Sequence, residues 1–197
     1  MKHFFWKNLM DEKKIDQMKN FSVGVIGSRL IFEILWRSGV GCIKYISDYI
    51  TNFDVILDCS INPLEANNYD IVHPKSDDSC VISYLYPESK NELKSLLKGV
   101  DLVIAHKNVA QVAEVAEEVG CPFIPDIVTI FLPEGVRFRE VIYPKVERDP
   151  ISYTITCGLQ ALEVIRIFAG MKPITAPEAL IVDPREGVKK IWLKTTV

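Results

Sequence analysis

A chain of 197 residues, 48% hydrophobic and 25% charged, can bury a substantial core without disulfide or metal staples, and its composition is that of a globular protein. No apolar run approaches the roughly 20 residues needed to span a bilayer, which argues against a membrane protein. The net charge of -3 and pI near 5.7 supply no overall attraction to phosphate backbones, so no nucleic-acid partner is expected.

Residues 1–20 mix Phe4, Phe5, Trp6, Leu9, Met10, Ile15 and Met18 with lysines and acids. They have no small-residue cleavage site, so an amphipathic helical arm is expected rather than a secretory signal. Residues 21–27, FSVGVIG, form a short apolar strand ending in glycine. A helix follows through RLIFEILWRSG, with Leu30, Ile31, Ile34 and Leu35 on one face and Gly39 as its stop. An apolar strand over 42–47 closing on Asp48 then completes a βαβ unit of a nucleotide-binding fold. The competing reading sets Ile43, Ile46, Ile50 and Phe53 on one face of a helix.

Residues 54–59 read as a strand and Asn62-Pro63 as a turn. Further along, the pattern predicts a strand over 80–86, a helix over about 88–98 and a strand over 101–105. It continues with a helix over 109–119 capped by Asn108 and a strand over 122–125. Such alternation predicts a mainly parallel sheet. The segments 127–132 and 136–143 bracket Pro133-Glu134-Gly135 and suggest an antiparallel pair appended to that sheet. A helix then runs through GLQALEVIRIFAG, with Leu159, Leu162, Val164, Ile165 and Phe168 at helical spacing and Gly170 as its stop. Residues 179–182 and 188–193 flank the turn 183–187 as a β-hairpin. One α/β, Rossmann-like domain is therefore expected, its mainly parallel sheet extended by antiparallel C-terminal strands.

Chemistry-bearing residues gather at the predicted strand ends. A phosphate loop points free amides at an anion from a helix N-terminus and needs glycine for close approach. Gly27 occupies the strand end, but Ser28, Arg29 and Leu30 follow where further glycines would stand. Ser28 offers a hydroxyl and Arg29 a bidentate phosphate contact, while the plainer reading is an ordinary strand-to-helix turn. Asp48 suits ribose hydroxyls, with Asp58 as the alternative if residues 43–53 are helical. His106, Lys107 and Asn108 follow the strand over 101–105, where open α/β sheets bind ligands. Their plainer readings are a surface lysine and a helix cap.

The LQALE helix and final hairpin resemble the C-terminus of the ThiF/MoeB superfamily, ATP-dependent adenylating enzymes related to ubiquitin-activating enzymes. The segment SGVGCIKYISDYIT is similar to that family's "AGVG…LVDFDTV", which favours the strand reading of 42–47. The resemblance implies binding of ATP with Mg2+ and adenylation of a carboxylate. In the family a "TDN" turn supplies a magnesium aspartate; here Asn108 matches its asparagine and Lys107 replaces the acid. Lys107 would then neutralise a phosphate, and Asp126 would supply the metal carboxylate. The family's "SNLxRQ" arginine has no counterpart, leaving Arg137, Arg139, Lys145 and Arg148 as basic alternatives or plain solvent-facing residues. One of Lys7, Lys13 and Lys14 would reach a neighbouring subunit's site.

The five cysteines, Cys42, Cys59, Cys80, Cys121 and Cys157, form no C-x-x-C pair, so the structural zinc of many relatives is not expected and cytoplasmic, reduced thiols are. Only Cys157 falls near a helix start, and its apolar neighbours favour a packed thiol over a nucleophile. His3, His73 and His106 are scattered along the chain. On its whole-chain pattern the sequence resembles the ThiF-like adenylating enzymes of iron-guanylylpyridinol cofactor synthesis in methanogens. That implies guanylylpyridinol as the carboxylate, a homodimer, and a downstream acyl-acceptor protein. The rival readings are a non-catalytic nucleotide- or metabolite-binding module and a nicotinamide-dependent oxidoreductase.

Overall fold

The computed structural model describes residues 10–49, 80–146 and 149–196. The expected strand over 54–59, the Asn62-Pro63 turn and Asp58 lie outside the described residues, as do Cys59, Lys7, Arg148, His3 and His73. A five-stranded parallel sheet forms the centre, in the order β3-β2-β1-β4-β5. Its strands are β1 (Ser22–Ile26), β2 (Cys42–Ser47), β3 (Cys80–Leu85), β4 (Leu102–Ala105) and β5 (Phe123–Ile124). The run 42–47 is thus a strand, which removes the helical alternative for that segment.

The central strands are apolar along their length because helices cover both faces. Val23, Val25, Leu102 and Ile104 point to one side. There they meet α1 (Glu12–Asn20), α2 (Arg29–Ser38) and α5 (Pro150–Ala169). Ile26, Val103 and Ala105 point to the other, against α3 (Lys90–Leu97) and α4 (Val109–Val119). The period-2 alternation of a strand thereby assigns neighbouring residues to two separate cores.

Local chemistry explains the element ends. Gly39, Gly120 and Gly170 close α2, α4 and α5 in the left-handed conformation, and the Ser89 side chain and Glu92 form a reciprocal capping box at the start of α3. The buried face of α2 is Ile31, Phe32, Leu35 and Trp36 rather than the expected Leu30, Ile31, Ile34 and Leu35. Phe32 stacks at a tilt on Tyr45 of β2, with centroids 5.3 Å apart, so a neighbouring aromatic rotates the helix toward its bulkier side chains.

Two expectations are corrected. Helix α5 starts at Pro150, two turns before the expected GLQALE run. Asp149 is its N-cap, accepting from the Ile151 and Ser152 amides, and proline suits the first helical position. Cys157 is therefore inside a helix and fully buried, and Leu162 stands 47% exposed instead of in the core.

Residues 127–143 form no antiparallel pair with one another. Phe131 bridges Phe123 of β5, Val128 bridges Leu180, and Ile130 bridges Thr175. After a single 3₁₀ turn (Phe138–Glu140), β6 (Val141–Ile142) pairs with β9 (Lys194–Thr195). Phe138, edge-on to both Phe123 and Phe131, is where this segment is tied down by aromatic packing.

The hairpin matches expectation: β7 (Glu178–Asp183) pairs antiparallel with β8 (Gly187–Trp192). The Asp183 carboxylate accepts from the Arg185 and Glu186 amides, the Asx chemistry of a tight turn.

Candidate functional site

From β1 the chain crosses to β2 and β3 on one side and to β4 and β5 on the other, so the winding of the chain through the parallel sheet reverses between β1 and β4. Ligands of open α/β sheets bind at such a switch point, beyond the carboxyl ends of the strands. A crevice of about 550 Å³ opens there, within the size range of small-molecule sites. Gly27, Arg29, Leu30, Glu33, Asp48 and Lys107 line it, together with Ser47 and the phenols Tyr45, Tyr49 and Tyr153.

Gly27 ends β1 with φ +76°, and its amide donates to the Ile46 carbonyl. A Cβ here would lie 2.7 Å from the Lys107 Cβ. Glycine is therefore required twice, by the left-handed backbone and by the lysine pressed against it. The first turn of α2 follows directly, directing the positive end of its dipole into the crevice wall. Arg29 stands on that turn, half-exposed, with its Nε 2.9 Å from Glu33 Oε1.

Asp48 and Lys107 come from opposite sides of β1. The Lys107 ammonium donates to the Asp48 carboxylate, and it also lies 5.1 Å from the centre of the Tyr86 ring. The crevice thus carries two ion pairs, Arg29 with Glu33 and Lys107 with Asp48. Burial, and next the neighbouring Tyr49 phenol, push the Tyr45 hydroxyl above its usual range. Tyr45 stays a protonated phenol, able to donate.

Gly27, Arg29, Asp48 and Lys107 are therefore brought together. The other expected residues are engaged differently. Ser28 does not offer its hydroxyl to the crevice: it is fully buried, caps the Ile31 amide, and meets Tyr153 Oη at 2.7 Å and Cys157 Sγ at 3.7 Å. His106 is turned into the core, its Nε2 2.8 Å from Gln160 Oε1 and its ring edge-on to Tyr153. Asn108 starts α4, but from the left-handed region (φ 49°) and without a side-chain capping bond. Its tolerance of that backbone conformation, rather than capping, explains the residue type.

Asp126 follows β5 and accepts a hydrogen bond from the Tyr143 hydroxyl. Burial pushes that phenol well above its usual range, so it remains the donor. Among the alternative cations, Arg137 and Arg139 pair with Glu140 and Glu117, away from the crevice. Lys14 donates to the Ala169 carbonyl at the end of α5, which docks α1 on its own chain.

The LQALE run proves to be a brace. Gln160, fully buried, donates from Nε2 to the Pro125 carbonyl and to the Ile127 carbonyl at 3.1 Å while its oxygen meets His106. It fastens the ends of β4 and β5 to α5. Glu163, 3% exposed, accepts from the Ile174 amide at 2.6 Å and the Arg166 guanidinium at 2.8 Å, fixing the link after the helix. Tyr153 lies on α5 ahead of the GLQALE run, outside the periodicity that marks the helix in the sequence. The Asp149-Pro150 signal places Tyr153, Cys157 and Gln160 on one inward face at helical spacing.

No family model matches the sequence, and no curated protein does. Solved structures do match. A crystal structure of PaaA superposes with a TM-score of 0.65 at 18% identity, covering 92% of this chain and 67% of that one. Escherichia coli MccB gives 0.65 at 15% identity, covering 93% and 66%. MccB crystallised with ATP gives 0.62 at 15% identity, covering 91% and 66%. The chain spans about two thirds of the length of these proteins, and at such identities the likeness is one of fold. It establishes the α/β Rossmann-like architecture with appended antiparallel strand pairs, shared with a protein that has been crystallised with ATP.

Proposed function

We propose that the protein is an ATP-dependent adenylyltransferase of the ThiF/MoeB kind, which activates a small-molecule carboxylate. The observation carrying this reading is the open crevice at the β1/β4 switch point, with an arginine and a lysine in its wall, in the fold that MccB presents to ATP. Carboxylates are poor acylating agents. Attack of a carboxylate oxygen on the α-phosphorus forms the acyl–phosphate bond, breaks the bond to the β-phosphate oxygen and expels pyrophosphate. The protein's task is to hold two anions together and screen their charge.

Arg29 and the α2 N-terminus meet the phosphates, Lys107 acts as a point charge, and Asp48 accepts from the ribose hydroxyls. The Tyr49 ring, 56% exposed beside Asp48, offers a face for the base. Magnesium, when bound, neutralises the phosphate oxygens and the departing pyrophosphate. Among the described residues no three His, Cys, Asp or Glu side chains cluster to hold a metal. Magnesium is held mostly by phosphates and water with one or two carboxylates. Asp126, which follows β5 and accepts a hydrogen bond from the Tyr143 hydroxyl, is the residue we assign to it.

The carboxylate we favour is guanylylpyridinol, on the whole-chain resemblance, with transfer of the acyl group to a downstream acceptor protein. A homodimer is in keeping with the apolar side chains exposed on the hairpin, Val188 and Trp192, and sedimentation tests it. Calorimetric titration with ATP and pyrophosphate–ATP exchange across a panel of carboxylic acids, guanylylpyridinol included, test the activity. Exchange that depends on one acid is the expected result; no ATP binding and no exchange would end the proposal.

A further inference from the structure

The Lys107–Asp48 ion pair is more than a surface contact, because of where its partners originate. Asp48 follows β2 and Lys107 follows β4, and these strands flank β1. Neighbouring strands lie about 4.8 Å apart, so β2 and β4 are separated by roughly 10 Å across β1. The pair spans that gap, and the Lys107 Cβ packs against Gly27 at the end of β1. The lysine stem is laid there by the missing Cβ of Gly27, and its ammonium is further held beside the Tyr86 ring, whose hydroxyl donates to Gln111. This lysine of the crevice wall is thus already paired with an acid of the same crevice.

We infer that Lys107 and Asp48 are a charge-exchange latch: an incoming polyphosphate takes Lys107 from Asp48, and the released Asp48 carboxylate becomes available to the ribose. This deepens the nucleotide-binding reading above and rests on it. The exchange is easy in the forward direction. The side chains are 35% and 65% exposed, so water already screens their attraction, whereas a polyphosphate presents several negative charges to the same ammonium. It also makes the two halves of nucleotide recognition interdependent. A ligand with ribose but little phosphate leaves Lys107 on Asp48 and must compete for the acid.

The test uses inorganic tripolyphosphate, which has no ribose, titrated at low ionic strength into wild type, Asp48→Asn, Lys107→Met and the double variant, with ATP titrated into wild type in parallel. Freeing Lys107 in D48N should tighten tripolyphosphate by about two- to fivefold, the range set by loss of an exposed ion pair. D48N should give no such gain when Lys107 is absent, so the cycle reports coupling. If K107M binds no tripolyphosphate, the double variant should bind none either. An equal gain in both backgrounds, or binding restored by D48N without Lys107, would mean that Asp48 merely repels phosphate, and the latch is wrong. No gain in D48N while wild type binds ATP also overturns the latch and leaves the nucleotide reading standing. Wild type binding neither ATP nor tripolyphosphate overturns both.

Discussion

Replacing Gln160 by leucine removes the brace while keeping a side chain of similar volume, so the loss is mainly one of hydrogen bonds rather than of packing. The carbonyls of Pro125 and Ile127 lose the Gln160 donor, and the His106 Nε2 loses its bond to Gln160, all at buried residues. A buried polar group left unsatisfied costs about 1–3 kcal/mol. Partial relaxation around the site makes the sum about 3–5 kcal/mol, a large share of the roughly 5–15 kcal/mol that stabilises a domain. At about 2–4 °C per kcal/mol for a chain of this size, the melting temperature should fall by roughly 6–20 °C. Urea unfolding should show the midpoint moving at constant slope. Leu162→Ala, two residues away on the exposed side of the same helix, is the control and should change stability by no more than about 0.5 kcal/mol. If Q160L costs less than about 1 kcal/mol, or L162A costs more than Q160L, then α5 does not hold the strand ends in the way described.

Gly27→Ala forces a side chain into the left-handed region and against the Lys107 Cβ, so it should destabilise the protein by more than about 1 kcal/mol and weaken ATP binding as Lys107 is displaced; denaturation and titration read both effects. Arg29→Ala should leave the melting temperature nearly unchanged, because its ion pair with Glu33 is exposed, yet lower ATP affinity about tenfold or more if a charge-assisted phosphate contact is lost. Glu163→Ala strands the Ile174 amide and the Arg166 guanidinium and should cost about 2–4 kcal/mol in urea unfolding. Hydrogen bonds from Lys90 and then Lys94 hold the Glu118 carboxyl down at about 2, against 4.5 ordinarily. A depressed folded-state value contributes stability above the unfolded value and loses it on acidification. The stability difference between wild type and Glu118→Gln should therefore shrink as pH falls from about 4.5 to about 2, and a constant difference would refute that assignment.

Much of the frame was legible because its signals are local. Strand-ending Gly27, helix-ending Gly39 and Gly170, and the Asp183 turn each act through the conformation of a few consecutive residues, and the βαβ order predicts a parallel sheet. The start of α5 is equally local in Asp149-Pro150, whereas the GLQALE periodicity marks the helix only two turns downstream. The site was half legible. Strand ends identify Gly27, Asp48 and Lys107 as neighbours of the crevice, since topology alone brings strand termini together.

What the sequence determined by itself was the set of elements and the end of the sheet at which chemistry gathers, because caps, turns and hydrophobic periods depend on short stretches of chain. The tertiary structure alone decided which way side chains at that end face. Ser28 and His106 turn inward because Tyr153 and Gln160, more than fifty residues along the chain, reach them through α5. Residues 127–143 abandon mutual pairing for bridges to β5 and to the segments around Thr175 and Leu180. Lys107 crosses to Asp48 because the two strands bearing them flank β1. Each of these outcomes depends on partners distant in sequence, and hydrophobic patterning specifies which face is buried without specifying what it is buried against.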